Sequence, residues 1–489
     1  MGEFLLLSSV LIPLIAVLLM AMGLHCRSVA LVSGVVHLMV SIFLIMLLWC
    51  REPGYHFVTS VPCFDLPDFF SFNFTIGLDG ISAPLLLLTS VVGLAAVGAI
   101  PPEVNRRREF YILVTLIIFG ATGAFVSLDL FFLYIFHEVA LIPTFLLLGI
   151  WGSRDRKFAA TQITLYLTLG SLVLLLGLLA FYFSLPIGER TFDLREIQAL
   201  MSSGSFHPAS QYIIFILLLI GFGVLVSLWP FHSWAPLGYA SAPAPVSMLH
   251  AGVLKKFGIY GLLRLASPYL PEGMAQWSLI LQVFLLANIL YIGWVTIAQT
   301  DLDMMLGYSS VMHMGYLFLG VISLSVIGST GVVLLMVGHG LSTALLFGLS
   351  SEIRDRTGTL RFSELGGLAQ KAPKLAVFFI IGGMASIGLP GLANFSGEIL
   401  IFFGAWTRYP VTTALAILGV VLSAVYMLRA IRSIFFGEVA VEVEKAEDLV
   451  TYRSRWPYML LIAGLVLFGV FPGLLVSLAK PILSVLLAG

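Results

Sequence analysis

A glutamate stands alone inside a long apolar segment. In LFFLYIFHEVALIPTFLLLGIWG, Glu138 is the only carboxylate between Asp129 and Arg154. It lies nine residues past Asp129, which at helical rise puts it roughly 14 Å into a membrane span. A charge at that depth costs anywhere from roughly 3 to more than 10 kcal/mol. Such a side chain marks an ion or proton path, unless it is a protonated carboxyl held by a local hydrogen bond. Glu398 repeats the pattern as the only ionisable side chain between Lys374 and Arg408, with Asn394 one turn earlier on its helical face. A desolvated carboxylate can exchange its proton when a neighbouring cation moves.

Basic groups sit between the two acids in sequence. Lys255 and Lys256 fall near the middle of an apolar run, too deep for simple snorkelling. Adjacent helical residues point about 100° apart, so only one of them can face a given partner. A buried lysine can relay protons. His313 follows Ser309 and Ser310 on one face, and His339 has Thr343 one turn on. His232 and His250 lie in or near a proline-rich stretch. Histidine exchanges protons near neutral pH, although each one singly could be a satisfied core side chain. Together they suggest a hydrated polar chain. No pair has metal-ligand spacing with a third ligand nearby. His137 adjoins Glu138 but is expected to point elsewhere on the helix, so it is left off the path.

The elements that must position these groups are membrane helices. The chain has 489 residues, 60% hydrophobic and 10% charged, with no net charge, against roughly 25% charged in a soluble domain. Bulk charge gives no reason to expect nucleic acid. Cys26, Cys50 and Cys63 lack metal-ligand spacing, and no dinucleotide fingerprint, P-loop or haem motif is present. No redox cofactor is expected on this chain. The start, MGEFLLL, lacks a signal peptide's basic region and reads as a retained helix.

Apolar runs of about 20 residues span a bilayer, and about 14 are found: 4–22, 29–49, 79–99, 109–127, 129–151, 158–184, 211–229, 243–265, 276–298, 302–323, 330–350, 374–405, 411–434 and 457–473. Basic residues gather on one side, at Arg27, Arg106 to Arg108, Arg154 to Lys157, Arg354 to Lys374 and Arg429 to Arg455. The positive-inside rule then puts both termini outside, in a bacterial inner membrane. Loop 50–78 is expected to be partly ordered on the outer surface, FDLREIQALM in 185–210 to form a short amphipathic helix, and 435–456 to be the most mobile part.

Two spans are interrupted by proline. One runs into WPFHSWAPLGYASAPAP and the other carries GLPG. Proline removes a backbone donor, and in lipid the freed groups need partners from protein or water. Broken helices at matching places in two halves point to an inverted-repeat transporter; two ordinary kinks are the simpler reading.

Taken in order, FHEVALIPTFLLLGIWG, WPFHSWAP, LKKFGIYGLLR, GYSSVMHMG, GHGLSTALLF and GLPGLANFSGEILIF resemble the antiporter-like membrane subunits of the NADH–quinone oxidoreductase (complex I) family, and most of all subunit M, the chain 4 type. The resemblance implies an all-α polytopic fold of about 14 helices with two inverted five-helix repeats, each with a broken helix. Residues 1–108 would precede the first repeat, 109–265; the second is 276–434, followed by 435–489. By the same resemblance Glu138, Lys256, His313, His339 and Glu398 line the proton path, with Lys255, His250 and His232 as possible auxiliaries. NADH, FMN, iron–sulfur clusters and quinone would belong to partner subunits, and the neighbours would be sister membrane subunits.

One departure stands out. The family places a lysine seven residues before the histidine matching His232; Leu225 occupies that position, and no Lys or Arg occurs between Arg195 and Lys255. Asp303 and Met304 stand where many relatives are basic. Lys255 or His250 is expected to supply the missing cation to Glu138. Three further readings stay open: a sodium–proton antiporter subunit, a membrane subunit of a hydrogenase or formate hydrogenlyase, and a non-pumping scaffold.

Overall fold

A computed structural model of the protein describes residues 1–49, 51–66, 70–201, 208–449 and 451–487. Cys50 and part of each of the loops 50–78 and 185–210 lie outside these residues. Helices α1 (Gly2–Ala21) and α2 (Cys26–Leu48) pack together at the start of the chain. Loop 50–78, expected only to be partly ordered, forms an antiparallel ribbon of β1 (His56–Leu66) and β2 (Phe70–Leu78). The fold is therefore not purely helical. The alternation HFVTSV opposite FNFTIGL carries the strand signal, and the apolar spans around it obscured that signal in the sequence.

Helices α3 (Ser82–Gly98), α4 (Arg107–Val126), α5 (Leu130–Trp151) and α6 (Arg156–Ser184) follow. Asp129 starts α5 by accepting from the amides of Phe131 and Phe132, 2.9 and 3.1 Å away, which satisfies two of the helix's free donors. The expected amphipathic helix is α7 (Leu194–Met201). Then come α8 (Pro208–Val226), α9 (Trp234–Ser241) and α10 (Ala244–Leu249). The next stretch is unusual: α11 (Lys256–Gly261) lies between two π turns, His250–Leu254 and Leu262–Ala266. Helices α12 (Ser267–Tyr269), α13 (Pro271–Leu286) and α14 (Ile292–Ala298) continue, the last two joined by a third π turn, Ala287–Tyr291.

The centre is built from α15 (Leu302–Ile322) and α16 (Val326–Thr357), whose apolar windows are 94% and 100% buried. Short α17 (Leu368–Lys371) leads to α18 (Pro373–Ile387), α19 (Ala393–Trp406) and α20 (Pro410–Phe435). The closing pair, α21 (Tyr452–Val470) and α22 (Gly473–Leu486), is bent by 67°; the sequence reading did not include α22. Loop 435–456 is anchored rather than free. Asp448 accepts from the amides of Lys374 and Leu375 at the start of α18, and Arg356 donates to the carbonyl of Glu447.

Among the described residues, nine helices are long and apolar enough to cross a membrane, and the bent pair can add a tenth. The outer helices α1, α2, α6 and α20 bury only a third to two fifths of their apolar windows. On α6, Leu165, Leu169, Leu172 and Leu176 form an exposed apolar stripe at helical spacing. Such a surface suits lipid, and the chain is a multi-pass integral membrane protein. Helices α16 and α19 approach closely through small residues, as membrane helices do. A side-chain carbon on Gly397 would lie 2.6 Å from the backbone nitrogen of Leu335. Near the ribbon, Arg264 binds Asp79 in a fully buried ion pair that ties the second π turn to the start of α3.

Both proline breaks are present, and both have their freed backbone groups satisfied. After α8, Trp229 donates to Asn288 Oδ1 at 2.6 Å, and Asn288 Nδ2 faces the carbonyls of Ser227 and Val311 at 3.3 and 3.0 Å. Trp234 Nε1 donates to the carbonyl of Val224. The second break separates α18 from α19 at Gly388, whose φ of +84° suits glycine. There His313 Nε2 lies 2.9 Å from the carbonyl of Ser386.

Candidate functional site

Most of the residues singled out in the sequence are buried in the interior, with Glu138 and His232 half-buried. Glu138 projects from the middle of α5. Ser171 on α6 donates to it, Ser171 Oγ also bonds Tyr134, and Thr144, Thr164 and Thr168 line a small adjoining cavity of about 100 Å³. The nitrogen at ion-pair distance among the described residues is that of His137, whose Nδ1 stands 3.3 Å from Glu138 Oε1. This corrects the expectation that His137 points away. Glu138 reaches Ser171 on α6, whereas His137 packs against Phe257 on α11.

Lys255 does not form an ion pair with Glu138. Its Nζ donates to Ser310 Oγ at 3.2 Å and lies 5.4 Å from the ring centre of Tyr239. His250 does not pair with Glu138 either; its Nδ1 is 3.4 Å from the hydroxyl of Tyr239. Tyr239 thus joins the two groups expected to replace the missing cation. His232 sits in the turn between α8 and α9, half-buried, with Nδ1 lacking a hydrogen-bond partner among the described residues.

Lys256 is at the centre. Being one residue on from Lys255, it points to a different neighbour: its Nζ reaches the carbonyl of Ala251 at 2.6 Å and His339 Nδ1 at 2.9 Å. His339 in turn stacks toward His313, ring centres 5.6 Å apart. His313 places one ring nitrogen 2.8 Å from the carbonyl of Ser309 and the other 2.9 Å from that of Ser386. A neutral imidazole has one N–H and donates to one carbonyl; an imidazolium donates to both. Gaining or losing a proton at His313 therefore makes or breaks one of these two bonds, to Ser309 or to the α18 break.

Past that break lies Glu398, 4% exposed, with Oε1 unpartnered among the described residues. It borders a cavity of about 500 Å³ walled by Phe395, Phe402, Phe403 and Trp406. Asn394 does not bond Glu398; it donates to Ser342, which bonds the carbonyl of His339. Contacts thus join Lys256 to His339 and His339 to His313, whose far ring nitrogen reaches the α18 break beside Glu398. Every basic member is fully buried or nearly so. No group of three metal-ligating side chains occurs among the described residues.

The order of these groups along α5, α11, α15, α16 and α19 can be compared with known proteins. Residues 127–425 match the family model described as NADH:quinone oxidoreductase/Mrp antiporter, TM. This chain belongs to that family. Within the family it is similar to NAD(P)H-quinone oxidoreductase chain 4 of Gloeobacter violaceus, 36% identical over 84% of this chain and 78% of the relative. It is also 31% identical to NADH-quinone oxidoreductase subunit M of Rickettsia bellii, over 93% of this chain and 89% of the relative. Among solved structures, a chain of respiratory complex I from Thermus thermophilus superposes with a TM-score of 0.88 at 30% identity, over 99% of both chains. The Mrp complex from Dietzia shares the fold, with a TM-score of 0.83 at 20% identity. The quinone oxidoreductase/Mrp match covers Glu138, both lysines, all four candidate histidines and Glu398.

Sequence reasoning missed three contributors. Asn288 was hidden as a lone polar residue in an apolar run, although its burial in lipid-facing sequence was a usable signal. Tyr239 lay among the prolines of the first break. The carbonyl of Ser386 has no side-chain signature at all.

Proposed function

We propose that this chain is a proton-translocating membrane subunit of a respiratory, complex I-type NADH–quinone oxidoreductase. The observation that carries the reading is the buried line of exchangeable groups centred on the Lys256–His339 contact. Glu138 takes the acid role at one end and Glu398 at the other. Lys256, His339 and His313 pass charge between them, with Lys255, His250 and His232 beside the line. The chain performs no electron transfer itself; NADH, FMN, iron–sulfur clusters and quinone belong to partner subunits, and sister membrane subunits are its neighbours.

About 14 crossings make up the fold in this reading, grouped as 1–108, two inverted five-helix repeats at 109–265 and 276–434, and 435–489. The two proline breaks, one per repeat, support it. Both termini face outward from a bacterial inner membrane, in keeping with the basic residues of the opposite loops.

The test is direct. In vesicles bearing the intact assembly, Glu138→Gln and Lys256→Met should each lower protons moved per electron while electron transfer continues. An unchanged ratio in both would favour a structural scaffold, a reading to which Leu225 and the absence of a lysine beside Glu138 lend some weight.

A further inference from the structure

Glu138 is only half-enclosed, yet the group nearest its carboxylate is a buried one. His137 is 2% exposed. Its Nδ1 is within ion-pair distance of Glu138 but is not aligned as a hydrogen bond, and neither ring nitrogen has a hydrogen-bond partner among the described residues. An imidazole nitrogen buried without a partner is costly, because the hydrogen bond it made to water is not replaced. Packing alone does not account for it. A phenylalanine would fill the same space, edge-on to Phe257 at 5.8 Å, without that cost.

The surroundings give the ring something to do. On α5 itself the titratable neighbours are Glu138 and Tyr134, whose ring centre is 6.4 Å away. From α6, Ser171 contacts Glu138 rather than His137. From α11 the packed side chain is Phe257, which does not titrate. From the first π turn, His250 lies within electrostatic reach of His137, and also of Lys255 and Lys256. His137 thus contacts the acid on α5 at 3.3 Å and lies within electrostatic reach of His250 on the π turn. Elsewhere in the described structure, no Lys or Arg approaches Glu138 to ion-pair distance.

We infer that His137 is a proton-path residue: it exchanges a proton with Glu138 and hands it toward His250, occupying the place between acid and lysines that no lysine fills in this chain. The step is a simple transfer. A proton arriving on Glu138 leaves its carboxyl oxygen for His137 Nδ1, giving carboxylate and imidazolium. The imidazolium then releases its other ring proton, on Nε2, toward the His250 side. Rotation of the ring, or a second transfer, resets it. No oxidant or co-reactant is needed. The inference rests on the proposed proton-translocating function, and its test separates the two.

The experiment uses the intact assembly in sealed vesicles, with redox turnover driven by its own substrates. His137→Gln keeps a polar side chain of similar reach but cannot exchange protons near neutral pH; His137→Phe fills the volume. Glu138→Gln is the reference for the function itself. The expected result is that His137→Gln lowers the rate of proton translocation at least about tenfold, the scale of a lost acid–base group, while electron transfer in uncoupled vesicles persists. The pH profile of the remaining translocation should change, which a purely structural ring would not cause. The double variant His137→Gln with Glu138→Gln should lose no more than Glu138→Gln alone, as for residues acting in one path. Should His137→Phe fail to assemble, His137→Gln carries the test. If Glu138→Gln abolishes translocation but His137→Gln keeps wild-type stoichiometry and pH profile, the His137 assignment is overturned. If Glu138→Gln itself translocates normally, the proton-translocating reading fails, and this assignment falls with it.

Discussion

Lys256 Nζ lies 2.9 Å from His339 Nδ1, with both side chains buried in the middle of the chain. Either nitrogen can donate to the other, depending on which holds the proton, so the contact joins two groups that can both hold it. Lys256→Met removes the shorter of the two contacts at His339 Nδ1 and leaves Thr343 Oγ1 at 3.3 Å. Proton translocation in vesicles should fall at least about tenfold, as expected for loss of an acid–base group. Lys256→Met with His339→Ala should be little worse than either single variant. Full additivity of the two losses would count against a shared step.

The break after α8 depends on a single amide. Asn288 accepts from Trp229 and donates toward Ser227 and Val311, all within the interior. Asn288→Leu keeps the size but leaves the Trp229 amide and the Ser227 carbonyl without this partner and removes the tie to α15. With each such group worth about 1–3 kcal/mol, the assembly should unfold at a clearly lower temperature in detergent. Asn288→Asp should be milder, since it keeps the acceptor for Trp229. Thermal unfolding of the purified assembly measures both, and an unaltered midpoint for Asn288→Leu would show that the break is held by other means.

Gly388 serves two purposes. Its φ of +84° is costly for any other residue, by roughly 1–3 kcal/mol, and a side-chain carbon there would run into Glu398 Oε2. Gly388→Ala should therefore reproduce much of the loss in proton translocation caused by Glu398→Gln, even though the carboxylate is intact. Translocation equal to the parent would mean that Glu398 is free to move aside without consequence.

Asp129, just ahead of α5, is a carboxyl pushed up to about 6 by burial, although three backbone amides partly oppose the shift. Its folded value exceeds its unfolded one, so it favours the folded state fully below about pH 4, and that contribution is lost as pH rises through about 6. Asp129→Asn, which keeps an acceptor for the helix amides, should remove this dependence. Relative to the parent it should gain stability from pH 4 to pH 7, by at most roughly 2–3 kcal/mol. Thermal midpoints across that range test the sign; a variant that loses ground at pH 7 would refute it.

Much of the site was readable because membrane burial makes charge expensive. Glu138, Lys256, His313, His339 and Glu398 each stood out as polar groups in apolar runs, and Lys256, His339 and His313 contact one another in turn. The helices were readable for the same reason, and the two proline stretches correctly marked where spans stop. What the sequence hid was rotation and backbone. Helical spacing of 100° per residue turned His137 away from Glu138 on paper, whereas flexible side chains on adjacent positions still converge to 3.3 Å. The π turns around Lys255 and Lys256 leave no pattern in residue type. The ribbon 56–78 was submerged among longer apolar runs, and α22 followed a bend that its glycine and proline hinted at only weakly.

The amide of Asn288 reaches back across 59 residues to Trp229 and forward across 23 to Val311. One side chain thus works as a staple: it pins the interrupted segment after α8 to the π turn Ala287–Tyr291 and to α15. The interruption cannot flex by itself. Displacement of the segment carrying His232 is passed to α15, and with it to His313, so the break after α8 and the histidine of α15 are parts of one linkage.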